Sequence, residues 1–153
     1  MLDPRTVFLL ANLALAFFIA GFVWAHQIEI FRAWRLLDEK SFRAVHAAHS
    51  RTLPVWVTAI VLSAAGSVAL IFWHPAGSPA AAIRAAVACQ VLTQILTVLF
   101  WGRWQSALRT DPAGPASPLL ARLIRTHWLR AVLVSAYAGV LAAWMVIVLR
   151  ARA

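Results

Sequence analysis

Four apolar runs, each long enough to cross a bilayer, constrain this chain more than any other feature of its sequence. They cover about 7–25, 54–73, 81–101 and 128–149 of the 153 residues. About 20 apolar residues in a helix match the thickness of a hydrocarbon core, and within that core only helices and closed barrels satisfy their own backbone polar groups. With 63% hydrophobic and 12% charged residues and a mean hydropathy of +0.79, the composition excludes an ordinary soluble domain. The expected fold is all-α: an integral membrane four-helix bundle forming one domain over 1–153, with an amphipathic connector between the first and second helices.

The first run, VFLLANLALAFFIAGFVWA, sits where a signal peptide would. Its apolar stretch is longer than the roughly 7–15 residues of a signal core, so it is read as a retained helix. Asn12, inside this run, calls for a hydrogen-bond partner on a neighbouring helix. The single cysteine, Cys89, permits neither an internal disulfide nor a thiolate cluster. A net charge of +9 would suggest nucleic acid in a soluble protein. Here the arginines flank apolar spans, so lipid headgroups and membrane topology explain them and no nucleic-acid partner is expected.

Between the first two runs lies HQIEIFRAWRLLDEKSFRAVHAAH, which carries three of the five histidines. Asp38 is placed to cap a helix through FRAVHAAH, on which His46 and His49, three residues apart, share a face. His26 and Glu29 have the same spacing if the first helix continues beyond the membrane surface. Pro54 disfavours helix at Leu53, which predicts a break or kink before the second run. HPAGSPA is a turn, and it puts His74 at the opposite end of the bundle as a bland interfacial residue.

Polar residues in the third run recur at steps of three and four: Gln90, Thr93, Gln94, Thr97, Trp101 and Gln105. That stripe should face the bundle interior, either bonding between helices or lining a cavity. Alternating crossings bring His127, at the start of the fourth run, to the same end as His26, His46 and His49. This end also holds Arg32, Arg35, Lys40, Arg43, Arg51, Arg103, Arg109, Arg122, Arg125 and Arg130, ten of the fourteen basic side chains. By the positive-inside rule it faces the cytoplasm, with both termini outside, as expected for a multi-pass protein of a bacterial inner membrane.

His26, His46, His49 and His127 form a candidate metal set of borderline nitrogen donors, suited to copper or iron ahead of zinc and unsuited to calcium. Glu29, or a histidine not engaged as a ligand, is the candidate acceptor of a substrate proton. Arg130, one turn from His127, is placed to pair with a phenolate or with a lipid phosphate.

The segment FRAWRLLDEKSFRAVHAAHSRTLPVW after the first run, LTVLFWGRWQSAL closing the third and LIRTHWLRA entering the fourth together resemble the small bacterial four-helix membrane proteins related to the anthrone oxygenase-like family. The resemblance implies a four-helix membrane fold and oxygenation of a lipophilic phenolic ring without flavin or nicotinamide. Where relatives often have an aromatic–proline pair after the first run, this chain has Ile30 and Phe31, and GRWQ at 102–105 lacks a proline common there. Substrate choice is therefore not transferred.

Three functions fit these features. The first is a metal-dependent oxidoreductase or oxygenase acting on a lipophilic phenol, quinol or anthrone-like ring. The second is a haem-binding electron-transfer bundle with His26 or His46 opposite His127. The third is a non-catalytic membrane subunit or transporter-like component. All three have the lipid bilayer as partner and leave homo-oligomerisation open.

Overall fold

A computed structural model describes residues 1–152. Asp3 starts the first helix by accepting from the amides of Arg5 and Thr6. Helix α1 (Pro4–Ala25) passes through a single π-helical turn, His26–Ile30, into α2 (Phe31–Arg35). Asp38 then caps α3 (Glu39–Phe72), accepting from the Ser41 amide at 3.0 Å and the Ser41 hydroxyl at 2.6 Å. After the His74–Pro79 turn, α4 (Ala80–Leu96) meets a second π-helical turn, Thr97–Trp101, and continues as α5 (Gly102–Ala107). A loop containing a short turn of 3-10 helix, Gly114–Ala116, leads to α6 (Pro118–Arg150).

The result is an all-α four-helix bundle. Four continuous helical stretches, Pro4–Arg35, Glu39–Phe72, Ala80–Ala107 and Pro118–Arg150, are long and apolar enough to cross a membrane. Helix α6 is the centre of the bundle and packs most extensively against α1 and α4, whereas α3 lies against α1 and α4 with less burial. Large apolar side chains such as Phe17, Val61, Phe72 and Val98 face outward, as lipid contact allows.

The two ends are packed differently. At the end away from the histidines, Leu9, Leu70, Ala86, Leu141 and Trp144 close into an apolar core. Trp144 is fully buried, and its indole N–H donates to Ser78 Oγ at 2.8 Å, tying α6 to the α3–α4 turn. The histidine end is built on Phe31, Trp34, Phe42, Trp101, Leu120 and Leu123.

Two expectations are corrected, the break at Pro54 and the hydrogen bond of Asn12 to a neighbouring helix. Helix α3 runs through Pro54 without a break. The proline removes only one backbone donor, and side-chain hydroxyls reinforce the carbonyls around it: Ser50 donates to His46 O, Thr52 to His49 O, and Thr58 to Pro54 O. Helix α6 starts at Pro118, ahead of the fourth apolar run, where Ser117 caps it by accepting from the Leu119 amide. Asn12 donates to Phe8 O within its own helix at 2.9 Å. Its amide lies so close to Gly66 of α3 that a Cβ there would fall 1.9 Å from Asn12 Oδ1. The contact between helices is thus a close approach and not the expected hydrogen bond.

Candidate functional site

The histidine end encloses a cavity of about 320 Å³ between the first helix, α3, the α4–α5 helix and α6. This is within the size range of small-molecule sites. Phe22, Phe31, Trp56 and Trp101 supply aromatic walls, and Val23, Leu53, Val57, Ile60 and Leu123 supply aliphatic ones. His26, His49, His127, Gln105, Arg109 and Arg130 add polar atoms.

Both π-helical turns contribute to this lining, through His26 on one side and Thr97 and Trp101 on the other. A π turn inserts an extra residue into the helical repeat and so re-aims the side chains that follow it, which is why such turns gather at functional sites. Gly102 accommodates the second one: a Cβ at this position would lie 2.9 Å from the Thr97 carbonyl oxygen.

Two of the imidazoles have assignable tautomers. His26 Nδ1 lies 2.9 Å from Phe22 O, and a carbonyl can only accept, so Nδ1 carries the proton. Nε2 is left with a lone pair and no partner, in a side chain only 5% exposed. Gln27 donates through Nε2 to Ile124 O at 3.4 Å, which fixes its Oε1 as the acceptor. His127 Nδ1, 3.1 Å from that oxygen, must therefore donate, and Nε2 is again the free nitrogen. Phe31 presents its ring edge-to-face to both imidazoles, at 5.7 Å from His26 and 4.9 Å from His127. The His49 ring is 5.1 Å from that of His26 and is half-buried at the cavity rim.

Metal-bound histidines almost always donate their second ring N–H to a carbonyl, carboxylate or water, which fixes the tautomer and orients the ring. His26 and His127 already have that arrangement, one through a main-chain carbonyl and one through an amide. Among the described residues, no three His, Cys, Asp or Glu side chains are gathered at metal-binding spacing. The four-histidine set is therefore not assembled among the described residues, and His26 and His127 each present one imidazole nitrogen without a hydrogen-bond partner.

Arg130 lines the same cavity as the imidazoles. Its guanidinium donates to Thr97 Oγ1 at 2.9 Å and stands 5.1 Å over the Trp101 ring. The side chain is enclosed by protein and keeps some accessible surface because it lines the cavity. The ion pairs among the described residues are Arg43–Glu39 and Arg152–Asp3, so Arg130 has no carboxylate partner. An ionised side chain enclosed among apolar helices is costly to desolvate. Arg130 thus stands inside the bundle, and the charge asymmetry between the ends rests on the other basic residues.

A second chamber, large enough for about one water, lies on the far side of Arg130. Ser63, Gln90, Thr93, Gln94 and Tyr137 line it. Gln90 donates to Ser63 Oγ at 2.6 Å, and Tyr137 OH, in a side chain 3% exposed, has no hydrogen-bond partner. The expected polar stripe therefore does both things proposed for it: Gln90 bonds between helices, and Thr97, Trp101 and Gln105 face the main cavity.

The remaining candidates are placed as follows. His46 is buried against Trp34 and Phe42, with its Nε2 3.5 Å from the Gln105 amide nitrogen, one layer behind the cavity wall. Glu29 is exposed and outside the lining. His74 sits at the opposite end, its Nδ1 3.1 Å from Pro75 O. Sequence reasoning missed Gln27, Phe31 and Trp56 as parts of the site. Gln27 had one signal, a long polar side chain adjacent to His26 at the end of an apolar run.

No family model, curated protein or solved structure matches the chain.

Proposed function

We propose that this chain is a membrane-embedded oxidoreductase acting on a lipophilic phenol or quinol, in keeping with its resemblance to the anthrone oxygenase-like proteins. The observation that carries the reading is the pairing of a guanidinium that has no carboxylate partner with two oriented, proton-free imidazole nitrogens on one aromatic-walled cavity. A flat ring partitioning from lipid stacks among Phe22, Phe31, Trp56 and Trp101, and its hydroxyl reaches the polar wall. Arg130 pairs with the oxygen as it becomes a phenolate, and this lowers the cost of losing the proton in a low-dielectric site. His49, the half-buried imidazole at the rim, takes that proton and releases it to water. Glu29 lies outside the lining, so the acceptor role falls to a histidine not acting as a ligand. A copper or iron ion held by His26 and His127 would supply the acceptor for substrate electrons or the centre that activates dioxygen. The basic residues around this end favour its placement at the cytoplasmic face of a bacterial inner membrane.

Oxygen uptake by metal-loaded protein in nanodiscs, measured across a panel of lipophilic phenols, quinols and anthrones, tests the reading. Metal-dependent uptake that is lost in Arg130→Met and His49→Ala is expected. Absence of metal-dependent turnover by folded, loaded protein across the panel would overturn it.

A further inference from the structure

At the same end, but on the outer surface, α2 and the first turns of α6 form an open cleft of about 490 Å³. Arg35, Arg122 and Arg125 line it, together with Pro118, Ala121 and Ile124. Arg122 and Arg125 are three residues apart and so share a face of α6. All three arginines are exposed, and none belongs to either ion pair found among the described residues. The cleft lining contains no carboxylate. The nearby Asp111 is directed into its own loop, accepting from the Ala113 amide at 2.9 Å and from Ser117 Oγ at 2.5 Å. Three like charges lining one cleft with no carboxylate among them make its potential positive and favour an anion there.

We infer that the Arg35, Arg122 and Arg125 cleft is a binding site for a phosphate group, supplied by an anionic lipid headgroup or by a soluble phosphate. Guanidinium forks match the several acceptor oxygens of a phosphate better than a single carboxylate does. The depth is also appropriate. Trp128 is exposed on α6, and indole rings gather at the membrane–water interface. Arg122 lies six residues before it, or about 9 Å along the helix axis. That separation is close to the roughly 5–8 Å of headgroup region on each side of the hydrocarbon. Arg122 is further steadied at 5.6 Å over the Trp104 ring. This inference does not depend on the oxidoreductase reading, because it involves no residue of the histidine cavity.

Native mass spectrometry of the full chain, released from nanodiscs of phosphatidylglycerol and phosphatidylcholine, tests it. Wild-type protein should retain phosphatidylglycerol preferentially, and each of Arg35→Gln, Arg122→Gln and Arg125→Gln should weaken that preference by about fivefold. Arg103→Gln, an exposed arginine at the same end but outside the cleft, should retain it. The triple Arg→Lys variant keeps the charge and provides a folded comparison if the glutamine variants are unstable; it should show a smaller but definite loss. Displacement of the lipid by millimolar inorganic phosphate would identify the soluble source, and resistance to it the lipid source. Equal retention in wild type and the cleft variants, or equal loss in Arg103→Gln, would overturn the site.

Discussion

The two ends of this bundle are made from the same four helices and differ in almost everything else. The end holding Trp144 is an apolar core closed by one indole hydrogen bond to the α3–α4 turn. The other end interrupts two helices with π turns and keeps a cavity. It also leaves a buried imidazole nitrogen without a partner and encloses a guanidinium without a counter-ion. Both ends have a buried apolar cluster, but only the second leaves a cavity with polar side chains on its wall, an arrangement that costs packing.

Substitutions that separate these roles sharpen the comparison. The largest effect is expected from Trp144→Ala, which empties the closed core and releases the Ser78 hydroxyl. A loss of about 3–5 kcal/mol is expected in thermal or denaturant unfolding in detergent. Cavity ligands should still bind wherever the variant remains folded.

Arg130→Met should act in the opposite direction. Replacing an enclosed, unpaired charge by an apolar side chain of similar length should leave stability unchanged or raise it by about 1 kcal/mol or more, while phenol binding measured by tryptophan quenching is lost. A marked fall in melting temperature would show that Arg130 is structural and that the two ends do not differ as described.

The smallest effect concerns Asp111, which lies outside the helices. Hydrogen bonds from Ser117 Oγ and the Ala113 amide hold its carboxyl below the usual range. A depressed folded value stabilises the loop above the ordinary carboxylate pKa of about 4, and that contribution is lost as pH falls through the folded value. Protection of the Ala113 and Leu119 amides, relative to their intrinsic exchange rates, should fall once pH drops below about 4, and Asp111→Asn should remove that pH dependence. Unchanged protection across this range would mean that the loop is held by other contacts.

How much of this was legible in the sequence follows from the scale of each interaction. The four helices were readable because about 20 apolar residues leave a chain few alternatives in lipid. The Asp38 cap was readable because it is local. Convergence of His26, His49 and His127 followed from the alternation of crossings, which requires no knowledge of side-chain direction. The helix ends were less legible, since composition marks the edge of the hydrocarbon and not the end of the helix; α3 and α6 both extend well beyond it. The π turns were not legible, although Gly102 marks the place where one of them brings a carbonyl against the next turn. Gln27 lies inside the first of these turns and Gln105 follows the second, so composition alone does not show which way either side chain faces. His26, His49 and His127 line the cavity, and His46 lies one layer behind it.

The most direct test is metal content measured alongside the absorption spectrum of purified protein after loading with copper or iron. Stoichiometric metal without a Soret band is expected, with large loss in His26→Ala and His127→Ala. Gln27→Leu, which removes the acceptor that orients His127, should weaken affinity by about 10- to 100-fold. Both His46→Ala and His74→Ala should retain the metal. Full retention in His26→Ala and His127→Ala, or a Soret band that depends on either residue, would contradict the assignment.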